Sequence, residues 1–164
     1  MKELMIILLA ISVIGFATFF TAIIVKFGML SSLSHSDYHF KSPWAFSYFT
    51  WWCSIPIILI GVLAPQLTDL QSVLVTFSGG LWAMVGAEPS SKNVGVDKDV
   101  HNACAFGAGL LGYSFIVTTP YWYLAPIALV PSIILYLLKT KNHTTWLETI
   151  AYIVNVLVIY LILR

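Results

Sequence analysis

From Leu4 to Val25 the chain carries no charged side chain. A helix rising about 1.5 Å per residue over that run crosses the roughly 30 Å hydrocarbon core of a bilayer. Five further segments meet or approach the same length: Ala45 to Ala64, Leu70 to Ala87, Asn102 to Thr118, Tyr121 to Leu138, and Trp146 to Leu163. The pattern predicts an all-α polytopic membrane protein, a six-helix bundle forming one transmembrane domain over residues 1–164 with only short connections. Lys2 precedes the first run as in a secretory signal. The run ends at Lys26 with no small-residue cleavage pattern, however, so it reads as a retained span.

Composition excludes the main alternatives. Charged residues make up 9% of the chain, against about 25% in a soluble domain, too few to cover an apolar interior. With 59% hydrophobic residues the chain is also unlike a disordered one, which needs low hydrophobicity and high net charge. A formal net charge of +1 supplies no basic field to displace counterions from phosphates, so nucleic acid is not an expected partner. Membrane lipids are. Cys53 and Cys104 both fall in apolar runs, where a thiol acts as a small hydrophobe rather than part of a disulfide framework or a zinc site.

Lysine placement suggests the orientation. Lys26 and Lys41, Lys92 and Lys98, and Lys139 and Lys141 lie in the first, third and fifth connections, leaving only Lys2 and Arg164 for the opposite face. By the positive-inside rule the odd-numbered connections are cytoplasmic and both termini outside, the arrangement expected in a bacterial inner membrane. Tyr121, Trp122 and Tyr123 at one interface, and Trp44 and Trp146 at the other, fit the depth that amphipathic rings prefer. Trp82 lies inside the third span, so it either packs against neighbours or lines a cavity.

Lipid gives helices no hydrophobic reason to associate, so small residues four apart matter because they let backbones approach. Gly79, Ala83 and Ala87 form such a stripe on span three. Span four offers Ala103 with Gly107, Ala105 with Gly109, and Ala108 with Gly112. Spans three and four are therefore expected to form the tight centre of the bundle, and stripes of this kind are compatible with a homo-oligomer. Pro56, Pro126 and Pro131 should bend their helices. Asn155, deep in span six, is expected to make an interhelical hydrogen bond.

The chemistry-bearing side chains gather on the face assigned as cytoplasmic. His35, His39, His101 and His143 all fall there, with Asp37, Glu88, Asp97, Asp99 and Glu148. Two arrangements suggest themselves beside a merely solvated face. Ser36, Asp37, His39, Glu88 and His101 would form a polar pocket for a lipid headgroup, ion or small solute, with Asp37 and His101 interacting across helix ends. Alternatively His35 and His39, four apart, would share a helical face and bind zinc with His101, leaving an open position for a water nucleophile.

The mixture of Ser, Asp and His near helix ends resembles the alkaline ceramidase and adiponectin-receptor superfamily, which implies a zinc-dependent membrane hydrolase. That superfamily has seven spans and a closing His-x-x-x-His in its last helix. Here His35-x-x-x-His39 sits in the first connection and span six has no histidine. A second resemblance rests on Leu33-Ser34-His35-Ser36-Asp37-Tyr38, on Val85-Gly86-Ala87-Glu88-Pro89 and on Val100-His101-Asn102-Ala103. These look like an uncharacterised six-span bacterial family, itself similar to DRAM-like eukaryotic membrane proteins. The resemblance implies a six-helix bundle with Ser36, Asp37 and His101 clustered, and no established activity. The favoured expectation is a polar site that binds without catalysis and without a committed cofactor. A channel or transporter is disfavoured, because no acid or base is expected deep within a span.

Overall fold

A computed structural model describes residues 1–40, 44–87, 96–138 and 140–164, the side chains at 37, 38, 96–98 and 132 excepted. Its described residues form six α-helices: α1 (Lys2–Phe27), α2 (Ala45–Leu63), α3 (Asp69–Ala87), α4 (Val96–Val117), α5 (Leu124–Leu137) and α6 (His143–Leu163). A short 3-10 helix, Ser34–Tyr38, lies between α1 and α2.

Local chemistry sets the boundaries. Glu3 in the first turn of α1 and Lys26 in its last complement the helix dipole. Gly28 ends that helix at a φ of 76°, its N–H reaching the Ile24 carbonyl at 3.0 Å. This is a left-handed conformation that glycine adopts without steric cost. At the start of α3, Thr68 and Gln71 form a reciprocal capping box. Gln71 N–H donates to Thr68 Oγ1 at 3.3 Å, and Thr68 N–H donates to Gln71 Oε1 at 3.1 Å. Pro126 is the third residue of α5, where a backbone N–H has no intrahelical partner to lose, whereas Pro56 and Pro131 lie inside their helices. The expected disruption at Pro126 is therefore replaced by a helix start.

Among the described residues five helices are long and apolar enough to cross a membrane. With 14 residues α5 rises about 21 Å, short of a bilayer core. Contacts at the helix ends nevertheless show that the chain returns across the bundle there. Gln71 Nε2, at the start of α3, donates to the Thr118 carbonyl after α4 at 2.9 Å. Tyr121 Oη donates to the Leu161 carbonyl near the end of α6 at 3.4 Å. Lys2 Nζ meets the Arg164 carbonyl at 2.5 Å, so both termini lie at this end. The start of α6 lies at the other end, where Thr145 Oγ1 donates to the Leu30 carbonyl beyond α1 at 2.7 Å. The two ends are called below the terminal end and the connection end.

Helices α1, α2, α3 and α4 pack successively, and α6 closes the circle by touching both α1 and α4. The fifth helix packs outside, mainly on α6. Two apolar clusters fill the ring. One, at the terminal end, includes Met5, Ile60, Phe115 and Val158. The other, at the connection end, includes Phe16, Phe46, Phe49 and Cys104. Ile7, Ile14, Val62, Phe77, Phe106 and Tyr136 are exposed on the outside. Such a girdle has no stable place in water and is the surface a lipid solvent requires.

The tightest approach differs from the expected one. It is made by α2 with α3, and α3 with α4 is the next most extensive contact. A Cβ on Gly86 would fall on the Thr50 side chain, and one on Gly61 would fall on Thr76. A Cβ on Gly79 would lie 2.9 Å from Ile58 Cγ1, which places this glycine against α2 rather than α4. On α4, Gly107 meets Leu81 of α3, where an added Cβ would lie 2.8 Å from Cδ1, and Ser78 Oγ donates to the Ala108 carbonyl at 2.8 Å. Ala83 accepts a 3.0 Å bond from Trp51 Nε1 at its carbonyl, whereas Ala87 and Ala103 are exposed.

Candidate functional site

The ring of α1, α2, α3, α4 and α6 surrounds a cavity of about 170 Å³. Its longest wall is one face of α4, on which His101, Ala105, Ala108, Gly109, Gly112 and Phe115 recur at intervals of one helical turn. From His101 to Phe115 that wall runs about 21 Å along the helix axis. Facing it, α6 presents Glu148, Ala151, Tyr152, Asn155 and Ile159 at the same helical spacing. Nothing lies within 4 Å of a Cβ built on Gly109, so this glycine opens space where Gly86 closes it.

The polar groups are unevenly distributed along the cavity. Glu148 and His101 lie in the second turns of α6 and α4, at the connection end, beside Ser34. Asn155 is further in, its Nδ2 donating to the Ala151 carbonyl of its own helix at 2.9 Å. The expected interhelical bond is thus replaced by a bond within α6, with the amide packed opposite Gly112. Phe115 and Ile159 make the terminal end of the cavity apolar.

Glu148 also holds the first connection in place. Its Oε2 accepts the Leu33 N–H at 2.7 Å, and one turn earlier Thr145 N–H donates to the Ser31 carbonyl at 3.3 Å. Leu33 precedes the 3-10 helix, so a carboxyl on α6 fixes the position from which Ser34 reaches the cavity. Deeper in, Ser12 Oγ donates to the Cys53 carbonyl at 2.8 Å and accepts the Tyr152 hydroxyl at 2.8 Å, joining α1, α2 and α6. The Tyr152 ring stacks on Phe16, with centroids 4.1 Å apart, and lies 5.3 Å from Trp82. Trp82 lines the cavity, one of the two roles open to a tryptophan within a span.

The residues expected to form a surface cluster differ in exposure. His101 is buried and lines the cavity, with its ring 6.4 Å from that of Phe46. His35 and His39 are exposed, with ring centroids 5.9 Å apart, and His35 Nδ1 is hydrogen-bonded to Ser31 Oγ at 2.6 Å. His39 instead lies against Phe27, 5.3 Å away. His143 Nδ1 donates to the Thr140 carbonyl at 2.8 Å. Ser36 is fully buried, and its Oγ has no hydrogen-bond partner among the described residues. Glu88 and the side chain of Asp37 lie outside the described residues, and with them the expected Asp37 to His101 contact. Among the described residues no three His, Cys, Asp or Glu side chains are grouped to hold a metal ion, so His35, His39 and His101 do not form the zinc set considered from their spacing.

Tyr152 was not singled out from the sequence, and Glu148 was noted only among the acids of the connection face and not as a site residue. The signal was present on one helix face, because Glu148, Tyr152 and Asn155 fall at i, i+4 and i+7. Glu148 and His101 lie near the connection-end starts of α6 and α4 rather than deep within either span. Comparison with known proteins finds no matching protein family, no matching curated protein and no matching solved structure.

Proposed function

We propose that the chain is a membrane protein that binds an amphipathic lipid-like molecule, without catalysis, in the cavity within its helix ring. One observation carries this reading: the cavity is long and apolar, yet gathers Glu148, His101 and Ser34 at one end. An elongated apolar space with a few convergent polar groups matches a molecule that has a chain and a head. The resemblance to the six-span bacterial family and to DRAM-like proteins rests on short motifs around Ser36 and His101, and supports a bundle rather than an activity.

The test is fluorescence quenching by an amphiphile brominated on its chain, with the protein in nanodiscs. The difference between wild type and Trp82→Phe isolates Trp82 from the five other tryptophans. Saturable quenching of Trp82 is expected at low lipid fraction. Gly109→Leu, which extends a side chain into the cavity, should weaken it at least tenfold with circular dichroism unchanged. Quenching that rises only in proportion to bulk lipid would overturn the reading.

The lysine distribution supports cytoplasmic odd-numbered connections, with a bacterial inner membrane as the setting. Reporter fusions at the two termini are expected to be active on the same, outer side. Activity on opposite sides would contradict both the orientation and the return of the chain through α5.

A further inference from the structure

We infer that the cavity opens sideways to the bilayer through a slot between α4 and α6, and that a two-chain membrane lipid is held there by one acyl chain while its second chain stays in the leaflet. This rests on the binding reading above and specifies its ligand class and route. Cavity size decides the first part. An apolar cavity of about 150 Å³ accepts a molecule the size of benzene, so one of about 170 Å³ encloses a segment of one acyl chain and no whole lipid. The rest of the molecule needs a way out through the wall.

Such an opening lies between α4 and α6. Ala105 and Gly109 line the cavity and are nevertheless exposed, as is Leu147 on the α6 side. A Cβ on Gly112 would lie 3.1 Å from the Asn155 amide, so the two helices meet at that level. One turn nearer the connection end the same register sets Ala108 level with Ala151, and two alanines are too short to bridge the gap. From Gly112 back to Ala105 the slot runs about 10 Å along the axis. Towards the terminal end the seam is filled, because Ala125 and Ala128 of α5 share a buried cluster with Phe115, Ile116, Val158 and Ile159. From Ile133 to Leu137 every α5 residue but Leu135 is exposed, so this cover does not reach the connection end.

The other seams of the ring are crossed by close contacts. A Cβ on Gly15 would fall on Trp52, and one on Gly86 on Thr50, which joins α1 to α2 and α2 to α3. Ser78 Oγ donates to the Ala108 carbonyl between α3 and α4, and Tyr152 of α6 stacks on Phe16 of α1. An apolar slot that faces hydrocarbon is filled by it, since empty walls forfeit the dispersion contacts that a chain supplies. The lipid enters from the leaflet at the connection end, with its head level with that end of the cavity.

Quenching of Trp82 in nanodiscs decides the route. Phosphatidylcholine brominated on one chain is compared with lysophosphatidylcholine carrying the same brominated chain, each at low fraction. The two-chain lipid should quench saturably, with half-saturation within about tenfold of the lysolipid after correction for partitioning. A larger gap, or saturable quenching by the lysolipid alone, would overturn the slot and leave the cavity reading standing, because a cavity entered only from its end has no place for a second chain. Absence of saturable quenching by either would remove the cavity reading itself. Gly109→Cys with Ala151→Cys puts a thiol on each rim of the slot, the native Cys53 and Cys104 being buried. A short reducible cross-linker between the two should slow exchange of the brominated phosphatidylcholine at least tenfold, with recovery on reduction. Exchange at an unchanged rate in the cross-linked protein would overturn the route.

Discussion

Gly86→Ala is expected to destabilise the bundle by about 1–3 kcal/mol, the range for overpacking a close contact. The added Cβ would fall on the Thr50 side chain and lie 3.3 Å from the Ser47 Cα, so relief needs the α2 backbone to move as well as a rotamer. Thr50 has little freedom to yield. It is fully buried, and its Oγ1 donates to the Ser47 carbonyl at 2.9 Å. Gly80→Ala is the matched control, because nothing lies within 4 Å of its Cβ. Unfolding in mixed micelles followed by circular dichroism should separate the two substitutions clearly. An unchanged midpoint for Gly86→Ala would show that α2 and α3 are not held together by this approach.

Glu148→Ala should cost a similar amount for a different reason. It leaves the buried Leu33 N–H without its acceptor, an orphan that typically costs about 1–3 kcal/mol. Glu148→Gln keeps an amide oxygen at the same place and should recover most of the loss. The two variants separate hydrogen bonding from charge, because both remove the ionisable group and only one removes the acceptor. Local release should also appear as faster backbone hydrogen exchange over residues 30–36 in Glu148→Ala, with the ends of α3 and α4 near Thr118 unaffected. Equal stability of Ala and Gln variants would mean that the Leu33 bond contributes nothing measurable.

The spans were readable because a bilayer imposes length and apolarity on each helix independently of its neighbours. Boundaries were less so where polar residues extend a helix past the hydrocarbon. The fourth helix starts at Val96 rather than Asn102, since Asp97 and Asp99 suit the positive end of a helix dipole although they are unsuited to lipid. The fifth starts at Leu124 rather than Tyr121 because the N–H groups of Trp122 and Leu124 close turns onto the carbonyls of Thr119 and Tyr121. His101 was legible as a candidate by residue type. That it lines one cavity with Glu148 was not, because the two lie on α4 and α6 and the acid is anchored by Leu33, 115 positions away in sequence. Which glycine closes a contact and which opens a space was also illegible, since Gly86 and Gly109 differ only in what faces them.

Because α5 stands outside, the cavity is walled by an odd number of helices. A twofold axis lying in the membrane plane reverses the direction of every helix it acts on, so a helix left over in an odd ring has no counterpart. The inverted-repeat symmetry that lets many transporters present one site alternately to both sides is thus missing from this ring. Its polar end is unique, and a molecule seated there points one way. On the proposed binding reading, the ring distinguishes the two leaflets and takes its occupant from the one that borders Glu148 and His101.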